Sequence, residues 1–257
     1  MTLNFFKEKH GYEIDGVWFP RVTSIIALGN GFSFLKQADP FGRRFGFQQA
    51  AQWGTMIHEA IEKNLKGEEA QYDKRIAPSI ETFRQWRAQY PFEVMDPGLD
   101  IEKRVVDVEQ GYAGTVDVIA EVEGVVSIID LKTSTTLTKA FGLQTAAYMN
   151  AYNTMESRSP RECEKRWILR LDQYQECLGC LAKMREKSGS SRVTGGKKAC
   201  NHQWGSVKGE IEFHELKEYD RDLERFFELK ERWEWTHKEW LSKIANYEKN
   251  IRQHTLL

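Results

Sequence analysis

The chain has 257 residues, 40% hydrophobic and 29% charged, with 37 Lys and Arg against 38 Asp and Glu for a net charge of −1. These values fit a globular protein of one large domain, or one domain with an insertion, and exclude a uniformly basic nucleic-acid coat; a polyanion must be met by a local patch. No apolar run approaches the roughly 18 residues that span a bilayer, and the first residues lack both a signal-peptide core and an Arg- and Ser-rich transit pattern. The expected compartment is the cytoplasm, where Cys163, Cys177, Cys180 and Cys200 are not expected to form disulfides.

In chain order, Tyr12 to Phe19 reads as a hairpin around the Asp15-Gly16 turn. Pro20 ends it, and Thr23 is placed to cap a short helix through Ile25, Ile26 and Leu28. Gly29 to Ser33 is a loop. Apolar residues recur at helical intervals from Phe41 to Leu65, predicting one or two helices closed near Gly67, and again from Ala77 to Tyr90. The pattern then changes to strands: Ile101 to Val108, Tyr112 to Glu121 and a buried one from Val125 to Lys132. A helix is expected over Leu137 to Met155, a strand over Arg166 to Leu171, a strand over Ile211 to His214, and one long charged helix from Leu216 to about Ile251. The expected fold is α/β, a small mixed sheet with helices on its faces, with residues 174–209 as an insertion between 1–173 and 210–257.

The segment Gly114 to Thr133 carries the chemistry. With Glu123-Gly124 as a two-residue turn, Val122 pairs with Val125 and paired residue numbers add to 247, which sets Asp117 opposite Asp130. Their Cβ atoms are then roughly 5 Å apart. Strand alternation adds Thr115 and Lys132 to their face and puts Val116, Val118, Ile129 and Leu131 on the other. Opposed carboxylates destabilise a hairpin, and a bound Mg²⁺ or Mn²⁺ relieves them. Lys132 beside that ion is placed to orient a nucleophile and stabilise charge. Two helical pairs accompany the hairpin: His58 with Glu62, and Gln144 with Tyr148, each at i and i+4.

Residues 174–209 are rich in Gly, Ser and Lys. Cys177-Leu-Gly-Cys180 and Cys200-Asn-His202 form a three-thiolate, one-imidazole set, the ligands of a closed zinc site; the other reading is a loop with incidental cysteines. Cys163 in place of His202 would instead give four thiolates for an iron-sulfur cluster. Lys183, Arg185, Lys187, Arg192, Lys197 and Lys198 crowd the same stretch, either as a phosphate-binding patch or as a solvated loop.

Taken together, Gly54 with His58, Gly114 with Asp117, Asp130 with Lys132, and Gln144 with Tyr148 resemble, in order, the four motifs of the RecB-like nucleases of the PD-(D/E)xK superfamily. The opening from Tyr12 to Ile26 is also similar to that of exonucleases related to the mitochondrial genome-maintenance exonuclease and its phage counterparts. The resemblance implies that His58, Asp117, Asp130 and the Leu131 carbonyl bind metal, that Lys132 is catalytic, and that Gln144 and Tyr148 contact DNA or order the site. Glu102 enters as a further acidic member. The implied activity is hydrolysis of DNA, exonucleolytic on single strands with a free end; a structure-specific or restriction-type endonuclease and a non-catalytic DNA-binding module are the other readings.

Overall fold

The structure is a computed structural model that describes residues 2–29, 42–69, 71–90, 92–155, 161–187, 189–247 and 249. The expected loop after Gly29, Phe41 at the head of the first long helix, and the end of the C-terminal helix at Asn250 and Ile251 lie outside these residues.

The chain opens on a helix that the sequence reading did not foresee, α1 (Leu3–His10), whose first turn is capped by Thr2. The hairpin follows as β1 (Gly11–Ile14) and β2 (Val17–Pro20), paired Ile14 to Val17. Asp15 and Gly16 both have positive φ, at 49° and 78°, as a type I′ turn requires. Helix α2 (Val22–Gly29) starts before Thr23, which therefore sits inside its first turn and does not cap it. A single helix, α3 (Gly42–Leu65), occupies the next predicted stretch. Gly67 closes it at φ 73°, its N–H bonded to the Asn64 carbonyl and that of Glu68 to Lys63, the pairing of a Schellman cap. Helix α4 (Ala77–Gln89) completes the first half.

The main sheet has seven strands among the described residues. They are β3 (Ile101–Asp107), β4 (Tyr112–Val122), β5 (Val125–Lys132), β6 (Lys165–Cys177), β7 (Lys183–Lys187), β8 (Ser190–Thr194) and β9 (Trp204–Glu215). Strands β3, β4 and β5 are antiparallel neighbours, β6 runs parallel to β5, and β9 pairs antiparallel with β6. Helix α5 (Lys139–Thr154) makes the crossover from β5 to β6, and α6 (Tyr219–Leu241) follows β9.

Two apolar layers sandwich the sheet. One packs α1, α2, α5 and α6 against it through Phe6, Ile25, Tyr112, Val116, Ile128, Tyr152, Phe226 and Trp233. The other packs α3 and α4 through Trp53, Ile57, Ile61, Phe83, Val118, Ile129, Leu131 and Leu169. Burying each of these large side chains stabilises the fold by about 1.5–3 kcal/mol. No described helix is long and apolar enough to cross a membrane.

The expected ladder from Val122–Val125 to Val118–Ile129 forms in the expected register, around a turn with Glu123 at φ 54° and Gly124 at φ 82°. The face assignment needs one correction. Val116 lies in the α5 layer, whereas Val118, Ile129 and Leu131 lie in the α3 layer. The reason is at Glu102, whose backbone takes φ 53° between the pairs Ile101–Val118 and Lys103–Val116. That left-handed residue rotates the strand, so Ile101 and Val105 also fall in different layers. Such a residue costs of order 1–2 kcal/mol and is tolerated mainly where function uses it.

Candidate active site

The hairpin, α3 and α5 converge where β4 and β5 part beyond the Val118–Ile129 pair. Asp117 leaves the ladder to accept the Leu131 N–H at 2.6 Å. Asp130 is fully buried and points to the α5 side, where the Gln144 amide donates to its Oδ1 at 3.1 Å. Its Oδ2 forms an ion pair with Lys132 but makes no well-directed hydrogen bond. The Gln144 amide also lies 3.1 Å from the Tyr148 hydroxyl, so the i, i+4 pair acts as one unit on the carboxylate. Lys132 lies over the Phe141 ring at 5.0 Å, which fixes the ammonium from the other side. Gly114 has a steric reason to be glycine: a Cβ there would stand 2.3 Å from the Tyr148 ring.

Helix α3 approaches from the opposite layer. Burial and the neighbouring Lys132 hold His58 down at about 4 against the pull of Asp130 and a hydrogen bond with the Leu131 backbone. The imidazole is therefore neutral and free to ligate at physiological pH. One turn on, Glu62 shares a hydrogen bond with Glu102 of β3. Burial and the charges of Asp117 and Glu62 push Glu102 up to about 7. Burial likewise raises Asp117 and lifts Asp130 to about 6, with Lys132 opposing in both cases.

Four carboxylates thus crowd one corner with one ammonium near them, an arrangement that attracts a hard divalent cation. The donor set of carboxylates with a neutral imidazole suits such an ion in kind, but as placed its ligand atoms do not close on one point: among the described residues the group that does so is Cys177, Cys180, Cys200 and His202. His58, Glu62, Glu102, Asp117, Asp130, Leu131, Lys132, Gln144 and Tyr148 all belong to this one neighbourhood.

The second constellation lies at the far end of β6. Sγ of Cys177 and of Cys200 are 3.8 Å apart, Cys180 Sγ is 3.4 Å from His202 Nδ1, and all four ligand atoms lie within 4.8 Å of one another. Zn–S bonds of about 2.3 Å in a tetrahedron put two sulfurs about 3.8 Å apart. Burial opposes ionisation of Cys177, but the N–H groups of Gly179 and Cys180 together with His202 outweigh it and hold that thiol at about 6. The cluster fits a zinc-ribbon-like insertion. Cys163 is not in it: it lies two residues before β6, and its thiol bonds the carbonyl of Lys165, the first residue of that strand. The 13 residues of that strand, at about 3.3 Å each, separate it from the group by roughly 40 Å.

The basic stretch divides in two. Arg192, Lys197 and Lys198 are exposed. Lys183, Arg185 and Lys187 are turned onto acidic residues of neighbouring strands: Lys183 pairs with Glu210 at 3.0 Å, and Arg185 and Lys187 with Asp172 at 2.5 and 3.2 Å. Asp172 and Arg170 are buried polar residues that sequence reasoning missed. Their signal was faint: alternate charged residues, Arg166, Arg170 and Asp172, on what otherwise reads as an apolar strand.

A model of the family described as PD-(D/E)XK nuclease superfamily matches residues 34–234 of the chain. A search of curated proteins gives no match.

Proposed function

The chain belongs to the PD-(D/E)XK nuclease superfamily, and from that premise we propose that it is a Mg²⁺- or Mn²⁺-dependent deoxyribonuclease of the RecB-like branch, acting as an exonuclease on single-stranded DNA. The observation that carries this reading is the convergence of half-buried Asp117, Lys132 and Gln144 about the buried Asp130. Asp117, Asp130, the Leu131 carbonyl and neutral His58 would hold the metal, with Glu62 and Glu102 as further acidic members. A divalent ion supplies an activated water and neutralises charge on the phosphorane.

The protein's own groups do the rest. Lys132, held by Asp130 and Phe141, is placed to orient the nucleophile and stabilise the developing charge. Gln144 fixes the orientation of Asp130, and Tyr148 holds Gln144. Arg192, Lys197 and Lys198 are the exposed cations left to meet phosphates, and binding through them should weaken steeply with salt. The Cys177, Cys180, Cys200 and His202 group is assigned to a structural Zn²⁺, which supplies folding energy to a segment with few apolar residues.

Digestion of end-labelled linear and closed circular single-stranded DNA with added Mg²⁺ tests the reading. Linear strands should disappear while circles persist. Circles cut as fast as linear strands would make the enzyme an endonuclease, and binding without cleavage under any divalent metal would leave a non-catalytic DNA-binding module.

A further inference from the structure

Strand β9 occupies one edge of β6 from Trp167 to Cys177. Strand β5 pairs with Lys165 to Arg170, and β7 with Gln175 and Glu176, so both must use the other edge. Strand β7 therefore begins beside the Cys177 end of β6 and runs back along that edge toward the end of β5. The contact at the junction is direct. Lys187, the last residue of β7, donates its ammonium to the Thr133 carbonyl, immediately after catalytic-strand residue Lys132. Arg170, the register partner of Lys132, donates to the next carbonyl, Ser134, at 3.3 Å.

Both cations are anchored on one buried carboxylate. Asp172 lies 3.2 Å from Lys187, 3.5 Å from Arg170 and 2.5 Å from Arg185. Arg170 is further tied to Glu210 and Glu212 at 2.8 and 2.6 Å. At the opposite end of β7, the Cys177 N–H bonds the Ala182 carbonyl, and Leu181 and Ala182 separate Cys180 from the strand. A single short strand thus joins the Cys₃His group to the backbone that follows Lys132.

We propose that Lys187 is a positioning residue for Lys132, and that a metal held by Cys177, Cys180, Cys200 and His202 sets the active site by fixing β7. Lys187 acts through the Thr133 carbonyl and touches no substrate; the charge of Asp172, 3.2 Å away, holds it near, and the metal holds the strand that carries it. A half-buried ammonium on a main-chain carbonyl, beside a buried carboxylate, restrains the loop more than an exposed lysine would. Small displacements of a catalytic group are costly to turnover. The proposal rests on the nuclease reading for its kinetic arm, and its second arm is independent of activity.

The kinetic arm uses the full chain with saturating Mg²⁺. Lys187→Met should lower kcat about tenfold while KM for single-stranded DNA stays within about twofold, and Lys187→Arg should restore most of the loss. The second arm is hydrogen exchange of the wild type, first stripped by chelator and then reloaded with Zn²⁺ alone. Reloading should slow exchange both in residues 183–187 and in residues 133–136. A raised KM at unchanged kcat would make Lys187 a phosphate contact instead and overturn the positioning role. Exchange at 133–136 indifferent to Zn²⁺ would overturn the coupling. An inactive wild type would remove the nuclease reading alone, since the exchange arm still decides the coupling.

Discussion

Among the described residues Lys132 pairs with Asp130 and lies over the Phe141 ring. Its ammonium is therefore held in place before any substrate arrives, which is what electrostatic preorganisation requires. Lys132→Met should reduce kcat by about two to three orders of magnitude, the usual cost of one preorganised donor, while DNA affinity in a filter-binding assay stays near that of the wild type. Wild-type turnover in that variant would remove Lys132 from the chemistry. Gly114→Ala tests packing at the same spot. The added methyl meets the Tyr148 ring at 2.3 Å, so Tyr148 has to move and Gln144 loses its brace. Overpacking of this kind costs about 1–3 kcal/mol, and the melting temperature should fall accordingly, together with turnover. Asp117, Asp130 and Lys132 were legible through the hairpin turn and strand alternation, although the ladder holds only to Val118–Ile129 and Asp117 leaves it for the Leu131 N–H; Gly114 was legible only through the family resemblance. Arg170 and Asp172 were not legible, because their charges on alternate positions do not say which groups they meet; the partners Glu210, Arg185 and Lys187 come from two other strands.

Helix α6 shows how a heavily charged element is held by its aromatic face. Its partners are supplied by three other segments: Phe226 meets Tyr112 edge-on at 4.9 Å, Trp233 lies 6.3 Å from Phe6, and Asp222 bonds the buried Arg166 at 3.3 Å. Trp233→Ala should lower stability by about 3–5 kcal/mol, read as a shift in the denaturant midpoint; exposed Trp235→Ala is the control and should leave it nearly unchanged. The helix ends at Leu241, shorter than the stretch to Ile251 read from its charge pattern, since Ile244 and Tyr247 turn inward in irregular structure. The long polar strands β6 and β9 were underread for a related reason. From Asp172 to Gln175 they carry ion pairs and amide hydrogen bonds where apolar alternation would have announced a strand, so their pairing appears in no single segment. The turns at Asp15-Gly16 and Glu123-Gly124 were fully legible, since two consecutive positive φ values restrict the residues that can occupy them.

At the scale of the molecule, the two ends of the described chain meet. Phe6 of α1 stacks on Trp240 at 5.3 Å, Trp18 donates its backbone N–H to the Asn246 carbonyl, and the Trp18 and Tyr247 rings lie 5.8 Å apart. No local pattern announced that closure, because it pairs residues more than 200 positions apart, and α1 itself went unread because its helical stretch is mostly polar. His10 sits inside the junction, 4.7 Å from the Phe6 ring and 5.5 Å from His237, with Ser24 bonded to its Nδ1. Burial, with Lys9, His237 and Arg21 nearby, holds it down at about 4. The unfolded chain takes up this proton near pH 6.5, before the folded one does. The stability that neutral His10 contributes is therefore complete above about pH 6.5 and is lost as pH falls toward 4. His58 titrates in the same direction, whereas the raised Glu102 and Asp130 oppose it, so the comparison must be with a variant. His10→Phe keeps a ring in the junction and removes the titration. Between pH 6.5 and 4 the wild type should lose about 1–2 kcal/mol more than the variant, less than the full shift implies because the ring is partly solvated. Denaturant melts of both proteins across that range measure it, and parallel pH curves would mean that His10 carries its proton in the closed junction.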